Sequence, residues 1–340
     1  MAAVTPSAGT SQLVAGDRPT RARSRPSAYA PVGIAFALLA LVPLLIGDSR
    51  TYMRLANEAL LFAGYAVAFN LIFGSTGQLF LSIGALAGVA GYGTAILADR
   101  AGLPMFVTIP AATVISGLTG GLFSWVSVRR SLDVIFVGIV TLTFSLGFAN
   151  LLLGQREWTG GETGLIVSAG SGTILRGRIA SYYLLLLVLT AFLAVFRWLQ
   201  RSHLGWAFRA LRDDEMAAEL AGVDVARFRI WAGLIGSAML GLLGAFWAHH
   251  QGFISPSTFA FAHVDVRTIV LLAFGGIGTL MGPVVGAVGF ELIDEVLRDF
   301  GRLRVAVYGA VLLGLFLGFR GGVVPAAVSL YRRLRSAAGR

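Results

Sequence analysis

The chain has 340 residues, 56% of them hydrophobic and only 13% charged, whereas soluble domains carry about 25% charged residues. Its net charge is +10 and all 27 basic residues are arginine, so the lysine of a phosphate-cradling P-loop and a Schiff-base lysine are both excluded. With no cysteine, disulfides and thiolate chemistry are excluded too, and the four histidines lack the i, i+4 pairing of a helical zinc motif.

Residues 1–31 are rich in Ala, Ser, Pro, Thr and Arg, with Arg18, Arg21, Arg23 and Arg25 ahead of the first apolar run. They read as a disordered basic arm. Val32–Ile46 is followed by Gly-Asp-Ser-Arg without a small-x-small cleavage site, so it reads as a retained first span. Further apolar runs follow at Leu55–Phe73, Leu79–Leu97, Met105–Val126, Val134–Leu153, Tyr182–Trp198, Ile230–Ala248, Thr268–Phe290 and Val305–Phe319. A bilayer core needs roughly 20 apolar residues per helical crossing. The fold class is therefore all-α: a polytopic transmembrane helix bundle of about 8–10 membrane segments over residues 32–320, one of them broken or re-entrant.

Arginine placement orients the bundle. A cytoplasmic N-terminal arm puts Arg129, Arg130 and the Arg201–Arg229 loop on the same side through six spans. Nine full crossings would leave the basic tail 321–340 outside. Thr268–Phe290 contains Gly275, Gly276, Gly278, Gly282, Gly286, Gly289 and Pro283, and glycine and proline cost about 1 and 3 kcal/mol relative to alanine inside a helix. A re-entrant break at Gly275–Pro283 would return the tail to the cytoplasm, while close packing of glycine-rich helices accounts for the glycines equally well.

Four segments stand out for chemistry. Asn70, Gly74, Thr76, Gly77 and Gln78 interrupt the second and third runs, either as a surface turn or as a break facing a water-filled pathway. Thr159, Gly160, Gly161 and Gly164 fall in an extracytoplasmic loop, either a flexible turn or a surface presenting N–H groups to a partner. The loop 201–226 holds a strong helix-former, Ala207–Ala221, with Gly222 placed to end it and Asp224 placed to cap the next helix. Arg209, Arg212, Glu215, Ala217, Ala218 and Gly222 lie on it, as a solvated connector or as a helix for a partner's groove. The fourth segment is the glycine cluster Gly275, Gly276 and Gly278. No charge falls in the middle of a run; Glu58, Asp133 and Arg267 sit at edges, reaching water. Ion-coupled carriers need an intramembrane carboxylate or histidine, so a carrier acting alone is the weaker alternative.

Taken together in this order, Asn70–Leu79, Thr159–Leu165, the Glu215-x-Ala217-Ala218-x-x-x-Gly222 loop with Ser255-Pro256 downstream, and Gly275–Pro283 resemble the LivM-type permease subunit of branched-chain amino acid ABC importers, over about Leu55–Arg320. Phe80-Leu81-Ser82-Ile83-Gly84 and Arg320-Gly321-Gly322 depart from that family's usual pattern. The resemblance implies a transport subunit without catalytic residues, in a bacterial-type plasma (inner) membrane. Its partners would be two ABC ATPase subunits that carry ATP and Mg, a homologous second permease, an extracytoplasmic substrate-binding protein and the lipid bilayer. Loop 201–226 becomes the ATPase-coupling loop and the other three segments a pathway or gate. The substrate would be a branched-chain amino acid, or alternatively urea or a short amide. No cofactor, metal or nucleic acid is expected on the chain itself.

Overall fold

The structure is a computed structural model that describes residues 29–47, 49–167, 177–202, 205, 207, 215–222, 224–297, 309, 310, 313, 314 and 321–337. Most of the basic arm, Arg209, Arg212 and most of the run Val305–Phe319 lie outside the described residues.

Each described apolar run forms a helix. The first gives α1 (Ala30–Ala40) and α2 (Val42–Ile46), interrupted at Leu41 just ahead of Pro43. Then come α3 (Arg50–Thr76), α4 (Ile83–Ala101), α5 (Met105–Arg129), α6 (Val134–Gly154), the short α7 (Arg156–Thr159) and α8 (Arg178–Arg201). The polar loop contributes α9 (Glu215–Leu220), followed by α10 (Val225–Gln251). The run Thr268–Phe290 is divided into α11 (Phe261–Gly275) and α12 (Gly282–Leu297), and a basic helix, α13 (Val323–Ala337), follows. Two carboxylates start helices: Asp133 accepts from the Val134 N–H, and Asp224 from the Arg227 N–H at 3.0 Å. Among the described residues, α3, α5, α6, α8, α10 and the segment 256–275 are long and apolar enough to cross a membrane. The chain is a multi-pass membrane protein.

At the centre lies α3, with 89% of its most apolar stretch buried. It packs against α8, α10 and α12. Around it, α4, α5 and α10 form a tight trio. Glycines set the spacing: a Cβ on Gly120 would lie 1.8 Å from Ser237 Oγ, and one on Gly244 only 2.0 Å from the Ala87 carbonyl oxygen. In lipid there is little hydrophobic drive for helices to associate, so such close backbone approach supplies the van der Waals contact that does. Ser116 Oγ adds hydrogen-bond contact to Leu86 O at 2.8 Å and Ser237 O at 2.9 Å, tying all three helices. Of the six candidate spans α6 is the least buried, showing Ile135, Phe136, Ile139 and Leu146 outward.

A two-residue strand, β1 (Leu165–Ile166), pairs antiparallel with β2 (Phe253–Ile254), tethering the loop after α7 to the end of α10. The chain then turns through Pro256–Phe259 into α11.

Candidate functional site

Two irregular segments are held inside the bundle. The first is 77–82, between α3 and α4. Gly77 ends α3 with φ +72° and donates to Phe73 O at 2.9 Å, a left-handed closure that a residue with a Cβ adopts only under strain. The chain then runs extended with Gln78, Phe80 and Ser82 buried. Buried backbone outside a helix needs polar partners, and several come from distant helices. Leu81 N–H donates to Thr141 Oγ1 at 2.9 Å, and Ser124 Oγ donates to Gln78 Oε1 at 3.1 Å. Asp265 of α11 accepts from the Ile83 and Gly84 N–H groups, the latter at 3.0 Å, placing a carboxylate on the N-terminus of α4. Thr76 turns inward on its own helix, donating to Ile72 O.

The second is the turn 276–281. Here α11 and α12 form an antiparallel hairpin whose arms of 15 and 16 residues are about 22 and 24 Å long, so that α11 reaches crossing length only together with the turn 256–259 that leads into it. A Cβ on Gly275 would lie 1.8 Å from Gly282 O, and Gly276 and Gly278 have φ of +119° and +78°. The fully buried Asn70 clamps the turn: its Nδ2 donates to Thr279 O at 2.9 Å and its Oδ1 accepts from Gly278 N–H at 2.7 Å. Gly74 leaves the room this needs, since a Cβ there would sit 2.2 Å from Asn70 Oδ1. Two segments some 200 residues apart in sequence are thus one structural feature.

The sequence expectations that Arg267 reaches water and that the bundle holds no carboxylate are corrected. Asp265 is fully buried, and Arg267, expected at a water-reaching edge, pairs with Glu291 across the hairpin, their side chains 15% and 4% exposed. The Arg267 guanidinium also lies over the Phe62 ring, 4.1 Å from its centroid. An edge of an apolar run is an edge in sequence only; the hairpin folds both ends of Thr268–Phe290 against α3. The three ionisable groups of His263-Val264-Asp265-Val266-Arg267 were the signal available beforehand.

Between α3, the end of α10 and residues 257–264 lies a cavity of about 560 Å³. Leu61, Phe62, Tyr65, Trp247 and Val264 give it an apolar wall, and Glu58, Gln251, Ser257, Thr258 and His263 supply its polar groups. Sequence marked Glu58 only as an edge charge and did not gather these residues into a site, because they come from three separate elements.

The remaining predicted residues do not join this region. In the loop after α6, the buried Thr159 Oγ1 lies within hydrogen-bond distance of Leu152 O and Gln155 O and accepts from Gly161 N–H. The Gly160 and Gly164 N–H groups go to Arg156 O and Gly161 O. Those donors are therefore consumed within the loop, and what it offers a partner is shape. At the opposite end of α6, α9 turns Ala218 inward at 3% exposure, while Glu219, Leu220 and Ala221 face out, Leu220 at 86%. Ala218 is thus part of the packing. Gly222 closes the helix with φ +83° and an N–H bond to Glu219 O. Glu215 and Ala217 lie on α9.

A family profile described as branched-chain amino acid transport system / permease component matches residues 51–318. Among characterised proteins, the chain is 27% identical over 303 residues to the high-affinity branched-chain amino acid transport system permease proteins LivM of Salmonella typhimurium and Escherichia coli, covering 82% of this chain and 71% of each of theirs. It is 25% identical to the autoinducer 2 import system permease protein LsrC of Yersinia enterocolitica, over 83% of this chain and 80% of that one. It is 24% identical to the ribose import permease protein RbsC of Haemophilus influenzae, over 64% and 68%. No solved structure matches the chain.

Proposed function

The chain belongs to the family of permease components of branched-chain amino acid transport systems, and from that premise we propose that it forms the translocation pathway of an ABC importer for branched-chain amino acids. The observation that carries the reading is the 560 Å³ cavity, which falls in the size range of small-molecule sites, about 300–1,000 Å³. Its aliphatic and aromatic wall suits a branched apolar side chain, and its carboxylate, amide, hydroxyl and imidazole groups suit a charged head. The LivM relatives favour this substrate. A second reading, a sugar-like polyol, draws on Gln251, Ser257 and Thr258 in the same cavity and on the LsrC and RbsC relatives.

The chain's described helices would pair with a homologous permease in a bacterial inner membrane, the basic N-terminal arm on the cytoplasmic side. ATP would be hydrolysed on two partner ATPase subunits that dock on the loop 201–226, at the outward-facing Glu219–Leu220 edge of α9 and at Arg209 and Arg212, which lie outside the described residues. Substrate would arrive from an extracytoplasmic binding protein on the side of the Thr159–Gly164 loop. Asn70, Gly74, Gln78 and the turn 276–281 would act as structural elements of the gate beneath the cavity.

The test is reconstitution of the chain with its candidate permease, ATPase and binding-protein partners in liposomes. ATP-dependent uptake of leucine, isoleucine or valine, with none of ribose or urea, supports the reading; the reverse preference sinks it. Leu220→Arg should abolish co-purification of the ATPases while leaving the membrane bundle folded. Retention of the ATPases by this variant would remove the coupling assignment.

A further inference from the structure

The cavity's polar groups differ in what they attract, and one carries a formal negative charge. Glu58 stands on α3 with Leu61, Phe62 and Tyr65 at i, i+3, i+4 and i+7, so the carboxylate and the apolar wall occupy one helix face. Its ion-pair partner, Arg54, is 3.9 Å away and 68% exposed, whereas the Glu58 side chain is 24% exposed. A long pair to a solvated arginine leaves the carboxylate room for a better-placed cation. The cation cannot be Arg267, which is held by Glu291 and seated on the Phe62 ring.

The same arrangement disfavours one competing mode. An ammonium stacking on Phe62 would meet a ring whose face already carries the Arg267 guanidinium, with His263 edge-on at 6.2 Å. Like charge on that ring steers a ligand's cationic end away from it and toward the carboxylate one turn back. The apolar part of the ligand is left to Leu61, Tyr65 and Trp247.

We infer that Glu58 recognises the ammonium group of the substrate, making this cavity selective for small primary amines with an apolar side chain over neutral polyols and over carboxylates lacking the amine. The inference rests on the small-molecule reading of the cavity given above. It names the group that divides amino acids from the sugar-like substrates of the family's other branches.

The test uses the purified full chain in lipid nanodiscs, with thermal unfolding and Trp fluorescence as readouts, since Trp247 lines the cavity. The probes are L-leucine, L-leucinamide (amine without carboxylate), 4-methylpentanoate (carboxylate without amine) and ribose. Leucine and leucinamide should stabilise the wild type, and 4-methylpentanoate and ribose should not. Glu58→Gln should weaken the response to both amines by about tenfold or more, the scale of losing a hydrogen-bonded charge, with an unliganded midpoint close to wild type. Equal amine binding by Glu58→Gln, binding of 4-methylpentanoate or ribose as strong as that of leucine, or no response of the wild type to either amine overturns the inference. ATP-driven leucine uptake by the reconstituted assembly, unchanged by Glu58→Gln, would overturn it while leaving the importer reading intact.

Discussion

Asn70 and Asp265 satisfy backbone groups that no helix reaches. Asn70 closes one donor and one acceptor of the turn 276–281, and Asp265 holds two N–H groups at the start of α4. Replacing Asn70 by Leu strands both turn groups, and since each buried unsatisfied group costs about 1–3 kcal/mol, thermal unfolding in detergent should show a loss of about 3 kcal/mol. Asp265→Asn keeps an acceptor for one of its two N–H partners and should cost less than Asp265→Ala, which strands both; a reversed order would mean the carboxylate does not hold α4. Sequence made Asn70 conspicuous as a polar residue in an apolar run. It left Asp265 unremarked, because a single acidic residue beside a run says nothing about which distant backbone it meets.

At the scale of helices, apolar runs and their breaks were largely legible: α3 to α6, α8 and α10 fall on the runs, and the glycine-rich run is interrupted where Gly275–Pro283 implied. Depth was not legible. Arg267 and Glu291 lie 24 residues apart and meet only because the hairpin is antiparallel. Removing one member of a buried pair leaves an uncompensated charge at a cost of about 3–5 kcal/mol, whereas replacing both by apolar residues is often neutral. Glu291→Leu should therefore lower the unfolding midpoint strongly, and Arg267→Met combined with Glu291→Leu should recover much of it. Helix contacts were equally invisible, since Gly120 and Ser237 belong to separate runs. Gly244→Leu has to displace the α4 backbone at Ala87 and should abolish folded yield, while Gly147→Leu, with nothing within 4 Å of its Cβ position, should be tolerated. Size-exclusion profiles of the two variants in detergent distinguish these outcomes.

For the whole molecule, dividing the run Thr268–Phe290 into two arms changes the parity of the topology. Read with the sequence expectation of a span at Val305–Phe319, most of which lies outside the described residues, two arms make ten segments and would return α13 with Arg332 and Arg333 to the side of the N-terminal arm, in keeping with the positive-inside rule. Because the sequence has no cysteine, single-cysteine variants report sidedness directly. With a membrane-impermeant maleimide on intact cells, Ser257→Cys at the cavity should label, and Leu220→Cys should label only after permeabilisation. The opposite pattern would invert the orientation. In the loop 201–226 the sequence made legible a helix ended by Gly222 and a cap at Asp224, of which α9 is the described part. The cavity was the least legible, being assembled from α3, α10 and the turn into α11.

The way α3 meets the hairpin has a mechanical consequence. The trio α4, α5 and α10 touches backbone to backbone, as do α11 and α12, and such surfaces part only by surrendering their whole contact. Between α3 and the hairpin the fastenings include side-chain tips: the Asn70 amide at the turn and the Phe62 ring under Arg267. Tips rotate to new partners where backbones do not. The seam between α3 and the hairpin is thus one that a single side-chain substitution such as Asn70→Leu can loosen.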